Sequence, residues 1–129
     1  MGERVPLILI VDDTPLARKT FRMILERAGY RIVEAGSTRE AIQVYKDVRP
    51  DAVTMDMLME EHDGIVAIQA LLRLDPEARI VVCSATADPS FVTAAARLGV
   101  VAYLNKPIPS ERLIAAIEKA LDGSVGSSA

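Results

Sequence analysis

The chain has 129 residues, half of them hydrophobic, with 15 Lys or Arg against 18 Asp or Glu, a net charge of −3 and one cysteine. That length suits one domain, burying roughly two-thirds of the unfolded surface without a metal or disulfide staple. The composition excludes an internal disulfide and a C-x-x-C redox motif, and no block of Lys or Arg stands ready to neutralise the phosphates of a nucleic acid.

No apolar run approaches the ~20 residues of a membrane span, and Met1 to Pro6 lack the basic start and long apolar stretch of a signal peptide. A soluble, cytoplasmic protein that binds neither membrane nor nucleic acid is expected.

In chain order, five short runs rich in Leu, Ile and Val alternate with stretches of helical spacing: Leu7 to Val11, Tyr30 to Ala35, Ala52 to Met55, Arg79 to Cys83 and Val100 to Leu104. Nearly continuous apolar strands are what a parallel sheet covered on both faces requires, so the alternation predicts an α/β domain of five βα units. The helices carry their own boundaries. Thr14 precedes Pro15, Ser37 and Glu40 form a capping box, Asp88 precedes Pro89, and Gly29 and Gly99 close two others. Between Phe91 and Leu98, three consecutive alanines give the fourth helix little bulk, so a lightly anchored, shiftable element is expected. The last helix places Leu113, Ala116, Ile117, Ala120 and Leu121 on one stripe. The domain is expected to span residues 1–122, and residues 123–129, Gly-Ser-Val-Gly-Ser-Ser-Ala, have the composition of a flexible tail. Cys83, following Ile80, Val81 and Val82, is expected to be a core thiol.

The strand ends carry the chemistry. Val11 is followed by Asp12 and Asp13, Met55 by Asp56, Cys83 by Ser84, and Leu104 by Asn105 and Lys106. In an open parallel sheet, ligands bind outside the carboxyl ends of the strands. Three carboxylates gathered there repel one another unless they hold protons or share a cation, and Mg²⁺ prefers oxygen ligands of this kind. With the ammonium of Lys106 and the hydroxyl of Ser84 alongside, the set forms a receptor for a tetrahedral dianion with a carboxylate nucleophile at its centre.

At these residues the sequence resembles the receiver domains of two-component response regulators, the CheY-like superfamily, of the single-domain type. The resemblance runs from Leu7 to Leu121 and rests on Asp12 and Asp13, the segment Met55-Asp56-Met57-Leu58-Met59 leading to Asp63 and Gly64, and on Ser84, Tyr103, Lys106 and Pro107. It implies a flavodoxin-like (βα)5 three-layer sandwich with strand order 2-1-3-4-5. It also implies a signalling switch that catalyses its own phosphorylation and dephosphorylation without being a conventional enzyme. Asp56 would be the phosphoacceptor. Asp13, Asp56 and the backbone carbonyl of Leu58 would ligate Mg²⁺ or Mn²⁺, with Asp12 holding a coordinating water. Lys106 would pair with the phosphoryl group, and its bond to Pro107 is expected to be cis. Ser84 and Tyr103 would move together as the switch, and the fourth helix, fifth strand and fifth helix would form the output surface. The implied partners are a sensor histidine kinase or phosphotransfer protein and a downstream protein target, in chemotaxis or a phosphorelay.

Three positions depart from the family pattern or bear on its timing. Glu60 stands where the family usually has proline, and is expected to alter cation affinity or phosphoryl lifetime. The apolar Leu58 is expected to slow hydrolysis by excluding water, with Thr86 as a second timer. The acids and His62 in the run from Glu60 to Asp63 are expected to form a solvated loop rather than a second metal site. A haloacid dehalogenase type phosphatase is the rival from another class, but it needs D-x-D after the first strand, whereas Asp12 and Asp13 are adjacent. A degenerate receiver acting only as a docking module is disfavoured by the intact acids, Ser84 and Lys106. A flavin carrier is disfavoured because the same acids would repel the cofactor phosphate.

Overall fold

The computed structural model describes residues 4–59 and 64–122. Within them the chain alternates β1 (Leu7–Val11), α1 (Pro15–Arg27), β2 (Arg31–Ala35), α2 (Thr38–Val48), β3 (Ala52–Met55), α3 (Gly64–Leu74), β4 (Ile80–Ser84), α4 (Pro89–Leu98), β5 (Ala102–Asn105) and α5 (Ser110–Asp122). All strand pairs are parallel, in the order β2-β1-β3-β4-β5. This is the flavodoxin-like three-layer sandwich. Its core lies on both faces of the sheet, as the continuous apolar runs require. Ile8, Ile10, Val81 and Cys83 pack with Phe21 and Leu25 of α1 and with Leu113 and Ile117 of α5. Leu9, Val11, Met55 and Val82 pack with Ala41 and Tyr45 of α2, Ile68 and Leu71 of α3, and Ala95 of α4.

The helix ends explain where the strands begin. Gly29 and Gly99 both adopt positive φ, +100° and +89°, a region that β-carbons disfavour. Each lets the following amide turn back onto its helix: Tyr30 N–H donates to the Leu25 carbonyl at 3.1 Å, and Val100 N–H to the Ala95 carbonyl at 3.3 Å. Tyr30 and Val100, expected as strand residues, therefore belong to the helix caps. At the other ends, β4 extends through Ser84 and β5 through Asn105, one residue further than their apolar runs. Ser37 caps α2 as expected, its hydroxyl accepting the Glu40 N–H at 3.1 Å while the Glu40 carboxylate turns back to accept the Gly36 N–H at 2.6 Å. Asp88 caps α4 through the Ser90 N–H at 2.9 Å. Thr14 occupies the cap position of α1 without a side-chain cap bond, and Pro15 supplies the start.

In α4 only Ala95 is buried, whereas α5 buries Leu113, Ala116, Ile117 and Ala120. Burying a Leu or Ile side chain stabilises by ~1.5–3 kcal/mol, so α4 is held more weakly than α5. Cys83 is 1% exposed, and burial pushes its thiol up to about 12. It is the inert core thiol expected.

Thr54 in the middle of β3 is 1% exposed, and its hydroxyl finds no hydrogen-bond partner among the described residues. A buried polar group left unpaired loses its hydration without compensation, about 1–3 kcal/mol. Thr54→Val keeps the shape and removes the hydroxyl. Its denaturant midpoint is expected to rise by the equivalent of about 1 kcal/mol; a lowered midpoint would show that the hydroxyl contributes a bond.

Candidate functional site

The strand order reverses at β1, whose neighbours β2 and β3 lead away in opposite directions, and ligands bind at such switch points in open α/β sheets. β1 delivers Asp12 and Asp13 there and β3 delivers Asp56. A carboxylate oxygen from each of the three lies within 4.8 Å of the others. Asp12 and Asp56 are buried and Asp13 is half-buried. β4 ends on Ser84, wholly buried. Lys106, just beyond β5, reaches back so that its Nζ lies 2.7 Å from Asp12 Oδ2 and 3.7 Å from Asp56 Oδ2. The Lys106–Pro107 peptide is cis, as expected.

Backbone contacts fix these groups. Asp12 Oδ1 accepts the Thr14 N–H at 2.9 Å, and Asp56 Oδ1 accepts the Leu58 N–H at 3.1 Å. The Ser84 carbonyl accepts both the Lys106 N–H at 2.8 Å and the Asn105 side-chain amide at 3.0 Å, tying the ends of β4 and β5 together. Tyr103, half-buried, donates its hydroxyl to the Thr86 carbonyl at 2.7 Å. Burial holds the Tyr103 phenol above its ordinary range, with Asp56 and Asp88 adding to the effect and Ser84 opposing it.

Electrostatically the site is poised. Burial raises Asp56 above the usual carboxylate range, against the Leu58 amide and the Lys106 ammonium, while Asp12 pushes the same way as burial and the Ser84 hydroxyl opposes it. Lys106 is desolvated too, but its bond to Asp12 and the field of Asp56 outweigh that and raise it further, so the ammonium stays charged. One ammonium cannot neutralise three carboxylates. An all-oxygen set of this size and spacing fits a hard divalent cation. The acid cluster could hold a metal, with Asp12, Asp13 and Asp56 as the residues to do it.

Asp12, Asp13, Asp56, Ser84 and Lys106 lie at this sheet edge, whereas Tyr103 sits inside β5 opposite Val82. Leu58 is 48% exposed beside Asp56. Glu60, Glu61, His62 and Asp63 lie outside the described residues. Reasoning from strand ends missed Arg18 and Glu34 and named Asn105 without giving it a role. Arg18 of α1 donates to the Asp12 carbonyl at 2.6 Å and to Glu34 at 3.0 Å. The available signal was Glu34 itself, an acid between Val33 and Ala35 in β2, whose carboxyl Arg22 and Arg18 hold below the usual carboxylate range despite its partial burial. Beside Lys106, a cleft of about 490 Å³ is lined mainly by apolar side chains, among them Leu16, Phe21, Ile24, Pro107 and Ile108.

Fold and site together define a flavodoxin-like α/β domain with an acid cluster and a lysine at its switch point. The response regulator receiver domain model matches residues 8–118. The chain is 41% identical over 120 residues to the chemotaxis protein CheY of Thermotoga maritima, spanning 92% of this chain and 98% of that one. It is 40% identical over 116 residues to the chemotaxis protein CheY of Bacillus subtilis, spanning 89% and 97%. Among solved structures it resembles a two-component response regulator of the LuxR family from an Aurantimonas species, with a TM-score of 0.86, 33% identity, and 93% and 87% of the two chains covered. The chain belongs to the response regulator receiver domain family, in its CheY-like branch. The dehalogenase reading is thereby set aside.

Proposed function

We propose that the protein is a phosphorylation-activated switch of a two-component system. Asp56 accepts a phosphoryl group from a sensor histidine kinase or phosphotransfer protein in a Mg²⁺-dependent reaction, and the surface of α4, β5 and α5 relays the change to a downstream protein. The observation that carries this reading is the convergence of Asp12, Asp13 and Asp56 within 4.8 Å, with Lys106 beside them. In this reading the protein catalyses its own phosphorylation and dephosphorylation and is not a conventional enzyme. The names of the two CheY relatives favour chemotaxis as the pathway.

Asp13, Asp56 and the Leu58 carbonyl would hold Mg²⁺, or Mn²⁺ in its place, with Asp12 holding a coordinating water. When bound, the cation neutralises charge on the phosphoryl oxygens and lowers the repulsion that an incoming dianion meets. The protein groups do the rest. Among the three acids, Asp12 is engaged by both Lys106 and the Thr14 amide. Asp56, buried at the end of the central strand β3, is the acceptor by its likeness to the receiver family. One of its oxygens bonds phosphorus as the P–N bond of a phosphoimidazole breaks, and the imidazole, already carrying a proton on its other nitrogen, leaves neutral. The ammonium of Lys106, aimed from 3.7 Å at Asp56 Oδ2, pairs with a phosphoryl oxygen, and the Ser84 hydroxyl donates to another. Leu58, exposed beside the acceptor, excludes attacking water.

The switch follows from the same bonds. If Ser84 is drawn toward a phosphoryl oxygen, the segment after β4 moves with it, because the Ser84 hydroxyl accepts the Thr86 N–H at 3.3 Å and the Thr86 carbonyl holds Tyr103. That segment leads directly into α4, which only Ala95 anchors deeply. A local charge is thereby converted into a displaced helix.

Incubation with Mg²⁺ and a small acyl phosphate, followed by acid trapping and peptide mass analysis, tests the reading. One phosphoryl group is expected on the peptide containing Asp56, absent when the metal is chelated before the acyl phosphate is added and absent from Asp56→Asn. No modification, with the metal bound, would leave a docking module as the better account.

A further inference from the structure

We propose that Arg18 is a positioning residue for the acidic site, acting through the peptide that joins Asp12 to Asp13. The inference rests on the reading of Asp12, Asp13 and Asp56 as a divalent-cation site.

Asp12 is held on both sides of its Cα, by β2 directly and by Arg18 of α1. Its N–H donates to the Ala35 carbonyl at 3.1 Å, and its carbonyl accepts from Arg18 Nη1 at 2.6 Å. Arg18 is in turn fixed on the same strand, because its Nε donates to Glu34 Oε1 at 3.0 Å. The other Glu34 oxygen accepts from Arg22 Nε at 2.6 Å, so this carboxylate is held from two turns of α1. The backbone of Arg18 is tied as well, its N–H donating to the Thr14 carbonyl at 3.1 Å. The guanidinium thus bridges α1, β2 and the end of β1 as a planar fork, a geometry that one ammonium cannot reproduce.

The Asp12 carbonyl and the Asp13 N–H share one peptide plane. Holding that carbonyl fixes the direction in which the chain enters Asp13, and so helps aim the half-buried carboxylate among its neighbours. Room for the fork is made at Gly36, where an added Cβ would lie 3.0 Å from Arg18 Nη1. The packing at Gly36 therefore belongs to the same arrangement.

Charge and position predict opposite effects. If Arg18 acts only through its positive charge near the acids, removing it draws a cation in more tightly. If it positions Asp13, removing it weakens the cation site.

The test measures Mg²⁺ affinity by calorimetric titration for wild type, Arg18→Met, Arg18→Lys and Gly36→Ala. Amide spectra of the metal-free proteins supply a readout independent of the cation. Outer groups that orient metal ligands typically change affinity by about 10–100-fold, so a weakening of at least about tenfold is expected for Arg18→Met and Arg18→Lys, in the same direction as for Gly36→Ala. Shifted Asp13 and Thr14 amide resonances are expected before any metal is added. Arg18→Lys carries the test if Arg18→Met does not fold, and Gly36→Ala, whose added Cβ meets the end of the Arg18 side chain, adds the direction. Affinities equal to wild type, or tighter in Arg18→Met, overturn the inference while leaving the proposed function standing. A wild type that binds no Mg²⁺ overturns both.

Discussion

Asp56→Asn is expected to make the metal-free protein more stable at neutral pH and to flatten its pH dependence. Burial raises Asp56 above the ordinary carboxylate range, and Asp12 adds to the effect. Well below that range both folded and unfolded chains carry the proton, and the group makes no difference. Between the ordinary range and the raised one, the folded chain keeps a proton that the unfolded chain has released. Stability therefore falls as pH climbs through that window, and the full penalty persists above it. Asparagine has the same shape and does not titrate. It gives up the attraction of Lys106, but that ammonium lies 3.7 Å from Asp56 and keeps its 2.7 Å bond to Asp12. The gain shows as a higher melting midpoint for the metal-free variant at neutral pH. Saturating Mg²⁺ should reverse the order, because ligand at a hundredfold excess over its dissociation constant stabilises the form that binds it by about 2.7 kcal/mol. Melting curves of both proteins across pH, with and without Mg²⁺, check this. A variant less stable than wild type without metal would contradict it.

Gly64→Ala is expected to damage fold and site together. A Cβ there would lie 2.5 Å from the Asp56 carbonyl oxygen and 2.9 Å from Met57 Cα, both backbone atoms that cannot swing aside. The Gly64 N–H also donates to the Met57 carbonyl at 2.9 Å, so the start of α3 sits directly on the peptides that follow the acceptor. Relief requires α3 to lift or the end of β3 to shift, and either moves Asp56. Overpacking of this kind destabilises by about 1–3 kcal/mol. Mg²⁺ affinity should fall by at least about tenfold, the scale for a displaced supporting group. Urea unfolding and calorimetric titration measure the two effects, and wild-type values for both would contradict the account.

These effects show what was legible in the sequence. Apolar runs ending in Asp12, Asp56, Ser84 and Lys106 were readable because a buried parallel strand leaves polar groups only at its ends, and parallel strands bring those ends to one edge. The cap glycines were equally visible, but their reach was not. Tyr30 and Val100 are apolar enough for strands, and only the backward bonds of their amides, set by the positive φ of Gly29 and Gly99, assign them to helix caps. The roles of Arg18 and Glu34 stayed hidden for a different reason. A charged pair 16 residues apart has no signature in spacing, and its meaning appears only when Arg18 reaches the Asp12 carbonyl. The strand order came from family likeness, since alternation of strands and helices does not by itself choose which strand begins at the centre.

The most direct test of the switch is a set of amide NMR spectra of wild type and Asp56→Asn with Mg²⁺ and beryllofluoride, which mimics an aspartyl phosphate. The account predicts Mg²⁺-dependent shifts in wild type alone, spreading from Asp56 through Ser84, Thr86 and Tyr103 into α4. Shifts confined to the residues around Asp56, or identical in both proteins, would contradict it.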